Sequence, residues 1–474
     1  GTPQNLALLR EAGLLSTEAE SAGPTDLVMA VLADDAAAAE AATAAAEAVL
    51  AGPVRTAGML DTRPRSLPTA LRMLPGATLA LISVPGTHAG REARKALQAG
   101  LHVMLFSDNV PVNVEIALKH LARDCGLFLM GPDCGSAIID GVPLGFANAV
   151  PRGRIGIAAA SGTGLQEVTC LIAAAGEGIS HAIGVGGRDL SPAVGGLMMD
   201  AALEALAEDP RTEVICVVGK PADPSVVARL GAQATRTGKP CAAYLSGAAE
   251  ASSPSLGWHC AATLEDAAQA AVALARGGPP VTVEFGQPTE TIRRLADAAI
   301  ARLAKEQRFV RGIYTGGTLA WEACGILASR LRDVTPDVGG GGRGHRVVDL
   351  GEDMFTVGRP HPMLDGSVRR EWIAREGHDA ATAVLLLDVV LGYGAHRDPA
   401  GEILPAVRRV REERRARGED LVVVASVCGT DADPQNRTAQ VLALESSGVI
   451  VMLSNARAAR FAALVAARLA ERGP

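Results

Sequence analysis

Two turns stand out for what their backbone could do. Ser161-Gly162-Thr163-Gly164 and Thr315-Gly316-Gly317-Thr318 each close a short apolar run and open a longer amphipathic one. A strand, a glycine turn and a helix start leave backbone N–H groups unpaired at the positive end of a helix dipole, which attracts phosphate or carboxylate. Glycine lets an anion approach the backbone, and the Ser and Thr hydroxyls add donors. A βα turn with a plain hydroxyl cap has the same composition, but its occurrence twice in one chain favours anion binding. Neither turn is a phosphate loop ending in Gly-Lys-Ser or Gly-Lys-Thr, so nucleoside triphosphate binding of that kind has no support.

Charged residues follow other apolar runs. Lys220, one of five lysines, comes directly after Val214–Gly219, at the sheet edge where ligands of open α/β folds collect; it reads as a charge on a phosphate or carboxylate, against a merely exposed lysine. Arg188 in Gly186-Gly187-Arg188-Asp189 reads equally as an anion clamp held by Asp189 or as a surface ion pair. Asp133 and Cys134 share the turn Gly131–Ser136. Asp133 suits capping or ligand binding; Cys134 could be a nucleophile only with a base or helix N-terminus beside it, and a tight ligand-shaped turn is the plainer reading. In Gly358-Arg359-Pro360-His361-Pro362-Met363-Leu364-Asp365, two prolines fix the backbone around His361, and a rigid Arg–His–Asp cluster suits anion binding or proton transfer. Asp349, Glu352 and Asp353 could be loop carboxylates, but no ligand spacing points to a metal. His259, in Gly257-Trp258-His259-Cys260, reads alone as a solvated loop histidine.

Parallel strands must carry these turns. The apolar runs Thr78–Val84, His102–Phe106, Leu127–Met130, Ile155–Ala160, His181–Gly186, Val214–Gly219, Cys241–Leu245, Val310–Tyr314, Ala383–Leu391, Leu421–Val427 and Val449–Leu453 read as buried strands. The amphipathic stretches between them read as crossover helices, and the Ala-rich Ala36–Leu50 as a plain helix. Pro151-Arg152-Gly153 and the linker Gly277–Pro288 divide the chain into about 1–150, 151–277 and 290–474; Gly339–Gly344 is a flexible loop. The two anion-type turns, followed by helices carrying Glu167 and Glu322, occupy equivalent positions in two flavodoxin-like domains.

Composition agrees. With 474 residues, 48% hydrophobic but 3% aromatic, the cores are aliphatic and the class is α/β. A net charge of -7 and few aromatics leave no basic, base-stacking field for nucleic acid. No apolar run is long enough to cross a membrane. The eight cysteines form no CxxC pair and read as buried reduced thiols. A soluble cytoplasmic protein without a bound metal is expected.

Several strings together resemble the FdrA family, within the succinyl-CoA synthetase-like superfamily: Phe106-Ser107-Asp108-Asn109-Val110, Met130–Gly135, Gly176–Ser191 and Thr356–Met363, with others spread over nearly the whole chain. The resemblance implies CoA-ligase-like parallel sheets: a Rossmann-like, CoA-binding-type domain, N-terminally short here, then two flavodoxin-like ligase domains. It implies a subunit of oxamate carbamoyltransferase, which with companion subunits in a homo- or hetero-oligomer converts oxalurate and phosphate into oxamate and carbamoyl phosphate. Under that reading a small anion occupies the Ser161–Gly164 and Thr315–Thr318 turns, Lys220, Arg188 and Arg359 offset developing charge, and His361 passes a proton to the departing nitrogen. The alternatives are an acyl-CoA synthetase using ATP and CoA through a phosphohistidine at His259, and a non-catalytic scaffold subunit. The chain departs from the ligases at these points: the phosphohistidine loop is altered around His259, Lys220 stands where they carry a glutamate, and their glycine loop for CoA phosphates is absent.

Overall fold

The computed structural model describes residues 3–23, 26–51, 64–220, 222–245, 257–336, 344–356 and 359–471. Most of the glycine-rich stretch 339–344 therefore lies outside the described residues. The chain divides into two compact units, residues 1–76 with 357–359 and residues 77–356 with 360–474.

Among its described residues the first unit holds three α-helices, α1 (Pro3–Glu11), α2 (Ala36–Ala51) and α3 (Leu67–Met73), and a short 3-10 turn at Ala19–Ser21. Helix α2 is the expected Ala-rich segment. The Ser66 side chain caps α3 by accepting from Thr69 N.

Among its described residues the second unit is built on three sheets. The first is parallel, β1 (Leu79–Ile82), β2 (His102–Leu105) and β3 (Leu129–Met130), with α4 (Gly86–Gln98) and α5 (Val112–Asp124) as crossovers. The second contains β4 (Ser136–Ile139), β5 (Val142–Gly145), β6 (Arg152–Ala160), β7 (Ile179–Gly184), β8 (Val214–Gly219), β9 (Cys241–Leu245) and β10 (His259–Cys260). Its order is β10-β9-β8-β6-β7-β4-β5, with α6 (Gly162–Ala174), α7 (Leu197–Glu208), α8 (Pro224–Arg236) and α9 (Leu264–Ala275). Helix α10 (Thr289–Ile300) leads to the third sheet, β11 (Phe309–Tyr314), β12 (Val334–Pro336), β13 (His345–Asp349), β14 (Thr382–Val390), β15 (Val422–Cys428) and β16 (Ile450–Met452). That sheet is wholly parallel in the order β12-β13-β11-β14-β15-β16, with α11 (Gly317–Arg330), α12 (Asp353–Thr356), α13 (Ser367–His378), α14 (Pro399–Ala416), α15 (Arg437–Ser446) and α16 (Asn455–Glu471). Strand β14 is buried at every position, as a continuous apolar run in a parallel sheet must be. All eight cysteines are free, and no helix among the described residues is long and apolar enough to cross a membrane.

Sheet two begins ahead of the expected border at 151. Strands β4 and β5 form a hairpin on its edge, turning through Asp140 (φ 50°) and Gly141 (φ 75°). Asp-Gly is the residue pair such a turn favours, because both central residues need positive φ.

The second and third sheets are related as repeats, with an alignment one residue away from the expected one. Ser161 is the N-cap of α6 and Gly316 that of α11, so Ser161 matches Gly316 rather than Thr315. Glu167 and Glu322 are then both the sixth residue of their helix. The two N-termini meet: Ser161 Oγ lies 2.6 Å from Thr318 Oγ1, and a Cβ on Gly316 would come within 2.9 Å of Thr163. The glutamates cap helices of the opposite sheet. Glu167 accepts from Asn455 N at the start of α16 (3.0 Å), and Glu322 accepts from Leu264 N at the start of α9 (2.6 Å). Asn455 Nδ2 also donates to Glu322 (2.7 Å). One apolar core runs through both sheets beneath these caps, from Ile157 and Val218 to Tyr314 and Leu386.

Burial pushes Glu167 up to about 7 and Glu322 up to about 8. A carboxyl raised from 4.5 to about 8 holds its proton in the fold after the unfolded chain has lost it. Glu322 therefore makes stability fall as pH rises between those two values. Urea titrations at a series of pH values should show a shallower loss of stability in Glu322→Gln than in wild type; parallel profiles would show that Glu322 is already ionised in the fold.

Candidate functional site

The carboxyl ends of strands from all three sheets converge on a cavity of about 410 Å³ within the second unit. Ser83 follows β1, Phe106–Asp108 follow β2, Asp133 follows β3, Ser161 follows β6, Lys220 follows β8, Thr315 follows β11 and Asp349 ends β13. Parallel sheets put their ligands at this edge, because crossover helices start there with free N–H groups.

Ser161, Gly162, Thr163, Gly317 and Thr318 line one wall. The N–H of Gly164 is taken by Ser161 Oγ at 2.9 Å, the cap of α6. The second turn is partly filled from within. Asp388, fully buried, accepts from Thr315 N (3.0 Å), Gly316 N (2.9 Å) and Thr315 Oγ1 (3.1 Å), and pairs with buried Arg369 at 2.8 Å. Thr315 and Gly316 thus give their donors to a protein carboxylate. Gly317 and Thr318, in the first turn of α11, face the cavity.

Two acids and one cation, Asp133, Asp349 and Lys220, also line the cavity, the last two close to Gly317. Burial pushes Asp133 and Asp349 each up to about 6; Lys220 pulls both the other way, as does the Gly351 N–H that Asp349 accepts at 2.8 Å. Lys220 is half-buried and has no ion-pair partner within 4.0 Å among the described residues. Two glycines make room for this group. A Cβ on Gly187 would lie 3.2 Å from Asp133 Oδ2 and 3.5 Å from Lys220 Nζ, and one on Gly317 would lie 2.5 Å from Asp349 Oδ2.

His361 also lines the cavity, and burial pushes it down to about 4. Met363 N donates to its Nδ1 at 3.2 Å, which leaves the proton of the neutral ring on Nε2, beside Gly351. The ring is a neutral hydrogen-bond donor near pH 7 and not an imidazolium acid. The groups poised to exchange a proton there are Asp133 and Asp349, closer to neutrality.

Other expected residues have different partners. Arg188 is held by Glu115 Oε2 (2.9 Å) and Val110 O (2.7 Å) and does not line the cavity. Asp189 pairs with Lys119 at 2.7 Å and caps α7 through Met198 N and Met199 N, so it does not hold Arg188. Burial pushes the Cys134 thiol up to about 12, which suppresses the thiolate a nucleophile needs. His259 is exposed on the edge strand β10, away from the cavity lining; the preceding residues 246–256 lie outside the described residues. Arg359 is exposed and groups with the first unit. No cluster of three metal-type ligands exists among the described residues. Asp349 and Gln166 line the cavity outside the expected site; Asp349 ends a strand, β13, and is not the loop carboxylate its sequence suggests.

A CoA-ligase domain model matches residues 313–465, and an AllF heavy metal-associated domain model matches residues 1–63. The latter stretch contains neither Cys nor His, so it lacks the thiolate and imidazole donors a heavy metal selects. The uncharacterized protein YahF of Escherichia coli is 37% identical over 469 residues, covering 96% of this chain and 89% of YahF. The mitochondrial succinate–CoA ligase [ADP-forming] subunit alpha-2 of Trichomonas vaginalis is 33% identical over 149 residues, 30% of this chain and 47% of that subunit. Among solved structures, the dinucleotide forming acetyl-coenzyme A synthetase 1 of Ca. Korarchaeum cryptofilum aligns over 83% of both chains at 16% identity, with a TM-score of 0.35.

An anion beside Lys220 favours the neutral forms of Asp133 and Asp349. Sulfate keeps its charge from about pH 5 to about pH 8, so calorimetry should show its affinity falling as pH passes about 6. Asp349→Asn should flatten that fall and bind sulfate more tightly at the alkaline end. A wild-type affinity that does not change with pH would separate these acids from the anion site.

Proposed function

The chain belongs to the family of YahF and carries a CoA-ligase domain, and from that premise we propose that it is the phosphate-handling subunit of a carbamoyl- or acyl-transferring enzyme. The observation that carries this reading is the meeting of two helix N-termini, with open N–H groups on both, beside a lysine without an ion-pair partner among the described residues. A small multivalent anion matches that arrangement. The reaction we assign is the FdrA-type one, phosphorolysis of oxalurate to oxamate and carbamoyl phosphate with companion subunits.

In this mechanism phosphate sits against Gly162, Thr163, Gly317 and Thr318, with the Ser161 and Thr318 hydroxyls beside it. A phosphate oxygen attacks the carbamoyl carbon. The C–N bond to the oxamate nitrogen breaks, and that nitrogen takes a proton from Asp349 or Asp133 in its neutral form. Lys220 offsets charge on the tetrahedral intermediate, a role that a glutamate in its place could not fill. His361 Nε2–H donates a hydrogen bond, and positioning supplies the rest. Arg188 and Arg359 have no step in this mechanism.

Reconstitution with the companion subunits tests the assignment. Lys220→Ala should lower kcat/KM by roughly 10²–10³, the usual cost of losing one charge-stabilising donor, and His259→Ala should leave turnover unchanged. Full turnover in Lys220→Ala and Ser161→Ala would remove this site assignment, and acid-labile phosphate on His259 after incubation with ATP would instead favour a phosphohistidine ligase.

A further inference from the structure

We propose that a second cavity, at the carboxyl ends of β15 and β16, binds a small monocarboxylate with an apolar body, and that Arg437 holds its carboxylate. The two cavities share no lining residue, and this site does not rest on the function proposed above.

The second cavity has a volume of about 290 Å³. Leu171 and Ala174 of α6, Val427 of β15 and Leu453 just after β16 line it. It therefore opens at the edge where parallel sheets bind ligands. Aliphatic side chains around such a space favour an apolar occupant.

One cation stands in this lining. Arg437 opens α15 and is half-buried. Its Nε donates to Val427 O at 3.1 Å, which ties the guanidinium to the end of β15. The two Nη groups have no hydrogen-bond or ion-pair partner among the described residues, yet neither is closed off from solvent. An open pair of guanidinium nitrogens matches the two oxygens of a carboxylate.

The remaining polar groups set the charge an occupant can carry. The loop N–H groups are already taken. Asp433 accepts from Thr430 N (2.7 Å) and Ala149 N (2.7 Å), and Asn436 accepts from Ala439 N at the start of α15 (2.9 Å). Asp431 and Glu167 also line the cavity, and each already accepts a backbone N–H, from Thr438 (2.7 Å) and Asn455 (3.0 Å). Two acids beside one cation admit one negative charge and oppose a second. Phosphate dianions and diacids are excluded on that ground, and the aliphatic lining calls for a carbon body behind the charge. The first cavity differs on both counts, with open turn N–H groups and a lysine.

Benzoate and benzamide share a body and differ in charge, so they test the assignment on the full chain. Titration calorimetry should show wild type binding benzoate about tenfold or more tightly than benzamide, the scale of a charge-assisted hydrogen bond. Arg437→Gln should remove that preference. Lys220→Ala, in the first cavity, should retain it. Ala174→Trp, at the exposed end of α6, should fill the second cavity and block benzoate. Absent benzoate binding, or equal affinity for the two probes, overturns the site. A preference that survives in folded Arg437→Gln, or is lost in Lys220→Ala, also overturns it. Should Arg437→Gln not fold, Ala174→Trp decides: unchanged benzoate affinity there places the ligand elsewhere.

Discussion

Two helices point their N-termini at each other across a single hydroxyl contact, Ser161 to Thr318 at 2.6 Å. Like ends of two helix dipoles repel, and the N–H groups they bring together have no intrahelical partners. The arrangement holds only if something else locks it and something negative sits near it. The lock is reciprocal: Glu167 on one helix caps α16 of the third sheet, and Glu322 on the other caps α9 of the second. Each helix is anchored by the opposite lobe, and the aliphatic core continues beneath both. Part of the negative charge is supplied by Asp388 under the second turn. The remaining N–H groups open into the cavity, and that residue of positive potential is what defines the site.

The two lobes are equivalent in backbone and opposite in charge. Ala158 pairs with Val217 in the second sheet and Ile313 with Leu387 in the third. In that register Asp388 stands where the second sheet has Val218, and Lys220 stands where the third has Val390. One lobe therefore fills its own turn with a carboxylate, and the other extends a cation into the shared cavity. An anion bound between them finds open N–H groups from both helices but its mobile counter-charge from one side only. Under the proposed function the transferred group lies beside Lys220, with Asp133 and Asp349 also lining the cavity.

Much of this was legible in the residue order, because parallel strands are continuous apolar runs and their helices begin in glycine turns. Strands β6, β8, β9, β11, β14 and β15 fall where those runs lie, and the two turns do face one cavity. What was not legible depends on partners far along the chain. Arg188 beside Asp189 looks like a pair in sequence, yet both turn to α5, where Glu115 and Lys119 wait on one buried face. The strand ending at Asp349 is short and follows a glycine-rich stretch, so its acid looked like part of a loop. Gln166 belongs to the strings that carry the family resemblance, but nothing in the residue order shows that Phe146, Asn148 and Leu391 tie down its nitrogen. His361 was legible as rigid but not as neutral, since burial and not spacing sets its charge.

The charge balance of the cavity bears on how transfer could begin. Near pH 7 two acids with midpoints of about 6 are mostly ionised, and against one lysine they leave the empty site unfavourable to a second negative charge. An arriving anion shifts both midpoints upward, because proximity of like charge favours the protonated form. Binding therefore draws a proton onto Asp133 or Asp349. A departing amide nitrogen needs a proton, and a basic nitrogen anion is a poor leaving group without one. In the mechanism proposed above, the step that seats phosphate thus also loads the acid that releases the product. The same coupling explains why a lysine, and not a glutamate, suits the position after β8: a third carboxylate there would hold the site too negative to admit the anion that arms it.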